Sequence, residues 1–129
     1  MSRPIRVLIA DDHPMVRSAL ASFLEGLGDV EIVGQAEDGD EAAELVPKLQ
    51  PDVVLMDYSM PRMNGAEATR RIVASCPNVR VVGLSFHAAE FGEQMCQAGA
   101  VACVTKSSDL DELVAAVRIA GTWQARHLR

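Results

Sequence analysis

Five short runs of apolar residues recur along the chain, each ending at polar or charged positions. Val7-Leu8-Ile9-Ala10 meets Asp11-Asp12, and Val53-Val54-Leu55-Met56 meets Asp57. Val30 to Ala36 precedes Asp38-Gly39-Asp40, Val79 to Leu84 leads to Ser85, and Ala100 to Val104 leads to Thr105-Lys106. Such runs are too short and too β-branched to favour helices, and they lack the alternation of a half-exposed strand. They predict strands buried on both faces. Between them the apolar positions change to three- and four-residue spacing, the signature of a helix with one apolar face.

The first helix carries Met15, Val16, Ala19, Leu20, Phe23 and Leu24, with Pro14 in its first turn and a stop at Gly26 and Gly28. The second follows Asp38-Gly39-Asp40 and carries Ala43, Val46 and Leu49; Pro47 is expected to kink or fray its last turn. Gly65 opens a third, with Ala68, Ile72 and Val73 inward and a stop near Cys76-Pro77. Ala88 to Ala98, closed by Gly99, is the fourth. Ser108 caps the fifth, which uses Leu110, Leu113, Val114, Val117 and Arg118. Strictly alternating strands and helices predict an α/β fold. At this length the natural form is a flavodoxin-like, doubly wound, five-stranded parallel sheet of order 2-1-3-4-5 with five helices. Its switch point sets the ends of strands one and three side by side, gathering Asp11, Asp12 and Asp57 in one crevice.

The 129 residues suit one domain with a real core. A formal charge of −6 argues against nucleic-acid binding by these residues themselves, since a phosphate backbone needs a basic surface. No long apolar segment suggests a membrane span or a signal peptide. Cys76, Cys96 and Cys103 are odd in number and lack CxxC spacing, so free, mostly buried thiols in a reducing cytoplasm are expected.

Taken singly, Asp57 reads as a helix cap, Ser85 as a turn residue, Lys106 as a solvated loop lysine, and His13 as a solvent-facing residue at the helix start. At one sheet edge they read differently. Two carboxylates about 4 Å apart repel by about 4 kcal/mol at an effective dielectric near 20, so a proton or a cation must join them. Oxygen ligands favour a hard ion, and Mg²⁺ tolerates incomplete coordination by protein. A divalent ion, a hydroxyl and an ammonium together attract a phosphoryl group, for which a carboxylate is a competent nucleophile.

These residues carry a resemblance. Asp11-Asp12, Asp57 in Met56-Asp57-Tyr58-Ser59-Met60-Pro61 with Gly65, then Ser85 and Lys106, make the chain from residue 4 to about 120 resemble the receiver domain of bacterial two-component response regulators. The resemblance implies Mg²⁺-dependent transfer of phosphate from a sensor histidine kinase onto Asp57, in a signalling domain and not an enzyme acting on a separate substrate. Asp12, Asp57 and the Ser59 backbone carbonyl would hold the metal, with Asp11 helping through water. Lys106 would pair with the phosphoryl oxygens, and Ser85 would hydrogen-bond them. Ile9-Ala10-Asp11-Asp12-His13-Pro14-Met15-Val16-Arg17 and Leu84-Ser85-Phe86-His87 resemble regulators with a LuxR-type helix-turn-helix. On that reading residues 1–120 are the receiver and 121–129 start a linker. DNA would be bound by a C-terminal domain outside this chain, with homodimerisation on phosphorylation and a cytoplasmic location.

Two features depart from that family. Cys103 stands where an aromatic residue is usual, which points to signalling through loop and helix-four movement. Ser85 and Lys106 are separated by 106 − 85 = 21 positions, about one fewer than is usual for the group. With Gly92 inside the fourth helix, this predicts a short or mobile helix. A haloacid dehalogenase-type hydrolase would need an acid where Ser59 stands, and a flavin carrier would need a hydroxyl-rich loop in place of Asp11-Asp12-His13-Pro14. A receiver-like interaction module, or a single-domain regulator acting without phosphorylation, is the alternative reading.

Overall fold

The computed structural model describes residues 3–85, 88–106 and 110–127, with side chains at 88–90 and 123–127 outside the description. The element order is β1 (Ile5–Ala10), α1 (Pro14–Glu25), β2 (Val30–Ala36), α2 (Gly39–Leu49), β3 (Val53–Asp57), α3 (Gly65–Ser75), β4 (Arg80–Ser85), α4 (Ala88–Ala98), β5 (Ala102–Thr105) and α5 (Leu110–His127). The strands form one parallel sheet in the order β2-β1-β3-β4-β5, as the alternation of patterns predicts.

Both faces of the sheet are apolar because successive strand residues point to opposite sides and both sides are covered. Leu8, Val54, Met56 and Val81 face Ala42 and Val46 of α2, Ala68 and Ile72 of α3, and Met95 of α4. Val7, Ile9, Val53, Leu55 and Val82 face Ala21 and Leu24 of α1 and Leu113 and Val117 of α5. Val53 to Asp57 is buried throughout, so the acid ends a strand that water does not reach from either face. Among the described residues, no helix is long and apolar enough to cross a membrane.

Several expectations need correction. Helix α4 has eleven residues, as many as α2 and α3, so of the expected short or mobile helix the short form is set aside. Strand β5 begins at Ala102 instead of Ala100, because the Ala100 amide still donates to Met95 O at the end of α4. Strand β4 begins at Arg80 instead of Val79. Helix α2 continues past Pro47 to Leu49 and closes at Gln50, whose φ of 51° lies in the left-handed region. Helix α5 spans Leu110–His127, so the expected fifth helix extends through residue 127. Gly121 is used for close packing: a Cβ there would lie 2.8 Å from Ile5 Cγ2. The cysteines are free, but Cys96 is exposed and Cys76 and Cys103 are only half-buried. Ser108, expected to cap α5, lies outside the described residues.

Candidate functional site

The crevice is built from strand ends. Asp11 follows β1, Asp57 ends β3, Ser85 ends β4 and Lys106 follows β5. The register brings them level: Asp57 pairs with Leu84, and Ser85 pairs with Thr105. The Lys106 amide then donates to Ser85 O at 2.9 Å, fixing where the lysine leaves the sheet. Asp11, Asp57 and Ser85 are all buried.

Lys106 links the acids. Its Nζ lies 2.8 Å from Asp11 Oδ2 and 3.2 Å from Asp57 Oδ1, with its side chain only 7% exposed. Burial alone would lower the pKa of this lysine. The hydrogen bond to Asp11 and the two carboxylate charges outweigh it and raise the pKa. Asp57 goes the other way from an ordinary carboxylate. Burial, then the charge of Asp11, push it up to about 6, against the opposing charge of Lys106. The remaining oxygen, Asp57 Oδ2, is buried and has no hydrogen-bond partner among the described residues. An orphaned carboxylate oxygen of this kind needs a proton, a cation or an electrophile.

Asp11, Asp12, His13 and Asp57 each offer one ligand atom, and these atoms lie within 4.8 Å of one another. The cluster therefore fits a divalent ion, with carboxylate oxygens as its main donors. His13 is exposed, as its place at the helix start suggests, yet its ring turns back to the acids. Nδ1 lies 3.1 Å from oxygens of both Asp11 and Asp12. The position of His13 follows from the helix start, whereas the direction of its ring follows from the crevice.

The loop after Asp57 is held from two sides. Arg62 adopts a left-handed φ of 68° and donates to Asp38 Oδ2 at 2.6 Å, while Asp38 Oδ1 caps α2 by accepting from Glu41 N. Gly65 lies against the phosphoacceptor candidate itself: a Cβ at Gly65 would come within 2.2 Å of Asp57 O. No residue but glycine fits there without moving the strand end. Ser59 is exposed and follows in this loop, its amide 3.4 Å from Asp57 Oδ1. Tyr58 was passed over in the sequence. It stacks on Phe91 and its hydroxyl donates to Gln94, so α4 touches the residue next to Asp57. An aromatic residue beside Asp57 was visible, but its partner lies 33 positions away, by 91 − 58.

An apolar groove of about 640 Å³ opens between β5 and α5, lined by Cys103, Val101, Ala116 and Ile119 among others. Its lining includes Glu112 but none of Asp11, Asp12, Asp57 and Lys106, so it is separate from the crevice at the strand ends.

Comparison with known proteins agrees with this geometry. The response regulator receiver domain family matches residues 7–118. The response regulator GacA of Pseudomonas viridiflava is 40% identical over 116 residues, covering 89% of this chain and 54% of that protein. The chain thus spans about half the length of the curated relatives it matches. A two-component response regulator of the LuxR family from Aurantimonas sp. SI85-9A1 superimposes with a TM-score of 0.88 at 35% identity, covering 92% of this chain and 86% of that one. A chain of the CheX–CheY–BeF3–Mg²⁺ complex from Borrelia burgdorferi does so with a TM-score of 0.80 at 25% identity, covering 89% and 87%. With its acids, hydroxyl and lysine on one edge of a 2-1-3-4-5 sheet, this chain belongs to the response regulator receiver domain family.

Proposed function

We propose that the domain accepts a phosphoryl group on Asp57 from a histidine kinase, with Mg²⁺, and so switches an output. The observation that carries this reading is Asp57 itself. One of its oxygens is held by Lys106, and the other is buried without a partner beside two further acids. The Asp57 carboxylate is the nucleophile: it forms the bond to phosphorus as the bond from phosphorus to the donor nitrogen breaks, and the leaving imidazole takes a proton. Lys106, already charged and held by Asp11, stays in place to balance the negative charge that gathers on the phosphoryl oxygens. Ser85, at the adjacent strand end, supplies a hydroxyl to the same group.

Asp12, Asp57 and the Ser59 carbonyl are assigned to the metal, with Asp11 acting through water. A bound Mg²⁺ would offset the carboxylate charges and polarise the phosphoryl oxygens. The similar complex from Borrelia burgdorferi holds Mg²⁺ and BeF3, which supports that choice. The domain is a phosphoacceptor that catalyses only its own phosphorylation and dephosphorylation. Relatives include proteins described as transcriptional regulators, so the output is transcription control through a DNA-binding domain beyond this chain, in the cytoplasm, with dimerisation on phosphorylation. The interaction-module alternative is not favoured, because every residue the chemistry needs is present.

Incubation with Mg²⁺ and acetyl phosphate tests the reading. A single phosphoryl mass increment is expected in the parent and not in Asp57→Asn. A folded parent that gains no mass would overturn it.

A further inference from the structure

We infer that His13 turns the acidic crevice into a site for divalent transition ions that accept imidazole, such as Ni²⁺ and Zn²⁺, with His13 Nδ1 as a ligand beside oxygens of Asp11, Asp12 and Asp57. The inference rests on the proposed cation site and adds a nitrogen ligand that the carboxylates do not supply.

Four observations support it. First, His13 occupies the N-cap position of α1 but makes no side-chain capping bond, so its ring is not spent on the helix. Its backbone amide instead donates to Asp11 Oδ1 at 2.9 Å, fixing the residue against the crevice. Second, the spacing suits an octahedral ion. Bonds of about 2.1 Å at right angles put neighbouring ligand atoms about 3.0 Å apart and opposite ones about 4.2 Å apart. Nδ1 is 3.1 Å from Asp11 Oδ1 and 3.1 Å from Asp12 Oδ1, and all four ligand atoms lie within 4.8 Å. Third, Asp57 Oδ2 is buried without a hydrogen-bond partner among the described residues, and Asp57 belongs to the same cluster, so a positive charge is wanted there independently of the histidine. Fourth, Lys106 takes Asp11 Oδ2, so the oxygen facing His13 is Oδ1, which accepts from the His13 backbone amide and keeps a second lone pair for an ion. The ring is half exposed, so an arriving ion reaches it from solvent.

Ligand chemistry then sets the preference. Mg²⁺ gains little from imidazole, while Ni²⁺ and Zn²⁺ favour it and bind mixed nitrogen and oxygen sets more tightly. The same crevice would thus hold Mg²⁺ without His13 and a transition ion with it.

Calorimetric titration of the tag-free protein with Ni²⁺ and with Mg²⁺, without any phosphodonor, tests this. His13→Gln should weaken Ni²⁺ at least tenfold and change Mg²⁺ less than twofold. His13→Asn, run in parallel and checked for folding by circular dichroism, should do the same. Electron paramagnetic resonance of the Cu²⁺ form should show nitrogen hyperfine structure that His13→Gln removes and that His87→Gln and His127→Gln retain. Equal weakening of both metals, unchanged Ni²⁺ binding, or hyperfine structure surviving in His13→Gln would overturn the inference. A parent that binds Mg²⁺ with His13→Gln neutral for Ni²⁺ sinks only the role of His13. A parent that binds neither ion sinks the cation site as well.

Discussion

The ring of Tyr58 lies flat on that of Phe91, with centroids 4.1 Å apart and planes 9° from parallel. The Tyr58 hydroxyl donates to Gln94 Oε1 at 2.7 Å, giving the same ring a second hold on α4. Tyr58 adjoins Asp57, so the proposed phosphoacceptor is one residue away from a side chain that packs on α4. Cys103 provides no ring to swing, and this stack is an aromatic connection from the site to that helix. Tyr58→Ala should leave acetyl phosphate labelling of Asp57 intact. It should also remove at least half of the phosphorylation-dependent change in amide hydrogen exchange over α4. Exchange changes as large as the parent's would show that the stack carries no signal. Phe91→Ala should lower stability, the ring pair alone accounting for about 0.5–1.5 kcal/mol.

Gly65 makes a second prediction. A methyl group there would press on Asp57 O and on the Tyr58 Cα, 2.2 and 2.8 Å away, both rigid backbone. Gly65→Ala should destabilise the domain by about 2 kcal/mol or more, read from urea unfolding, because neither neighbour can turn aside. Displacing the Asp57 carbonyl should also weaken Mg²⁺ binding. A variant of parental stability would mean that the loop relaxes freely.

The raised pKa of Asp57 gives a pH dependence. Its value in the folded chain, about 6, lies above the ordinary 3.8, so between these pH values the folded state binds more protons than the unfolded one. Stability of the metal-free domain should therefore fall as pH rises from about 4 to about 6, and stay lowered above that. The full gap from 3.8 to about 6 corresponds to about 3 kcal/mol. Asp57→Asn should lose this slope and be the more stable form at pH 7.5 without metal. Mg²⁺ should stabilise the parent at pH 7.5 far more than at pH 5, where protons compete for the same oxygen. Parallel melting curves across pH for parent and Asp57→Asn would contradict the assignment.

Lys106 should behave as the counterpart. It is buried between Asp11 and Asp57, and its removal leaves carboxylate charge with no partner. Lys106→Ala should cost about 3 kcal/mol at pH 7.5 and less at pH 5, where Asp57 protonates. Added Mg²⁺ should recover part of the loss, measured as a rise in Tm.

The sequence by itself determined the five strands, their order in the sheet and which candidate residues stand at the strand ends. Val53 to Met56 reads as a strand because burial on both faces demands apolar residues at every position, a local rule. Asp57 stands out because a charge cannot continue such a run. The topology already placed the acids in one crevice, but the tertiary structure decided which side-chain atoms meet. Lys106 pairs with Asp11 across 106 − 11 = 95 positions, Tyr58 finds Phe91, and Arg62 finds Asp38. Periodicity encodes how deeply a residue is buried, and it carries no distance between residues far apart in the chain. Gly121 shows the same limit. A glycine reads locally as a helix stop, yet here it lets α5 approach Ile5 and continue. His13 is the clearest case. Its place at the head of α1 was legible, but the turn of its ring toward Asp11 and Asp12 depends on a crevice that exists only once β1 and β3 lie side by side.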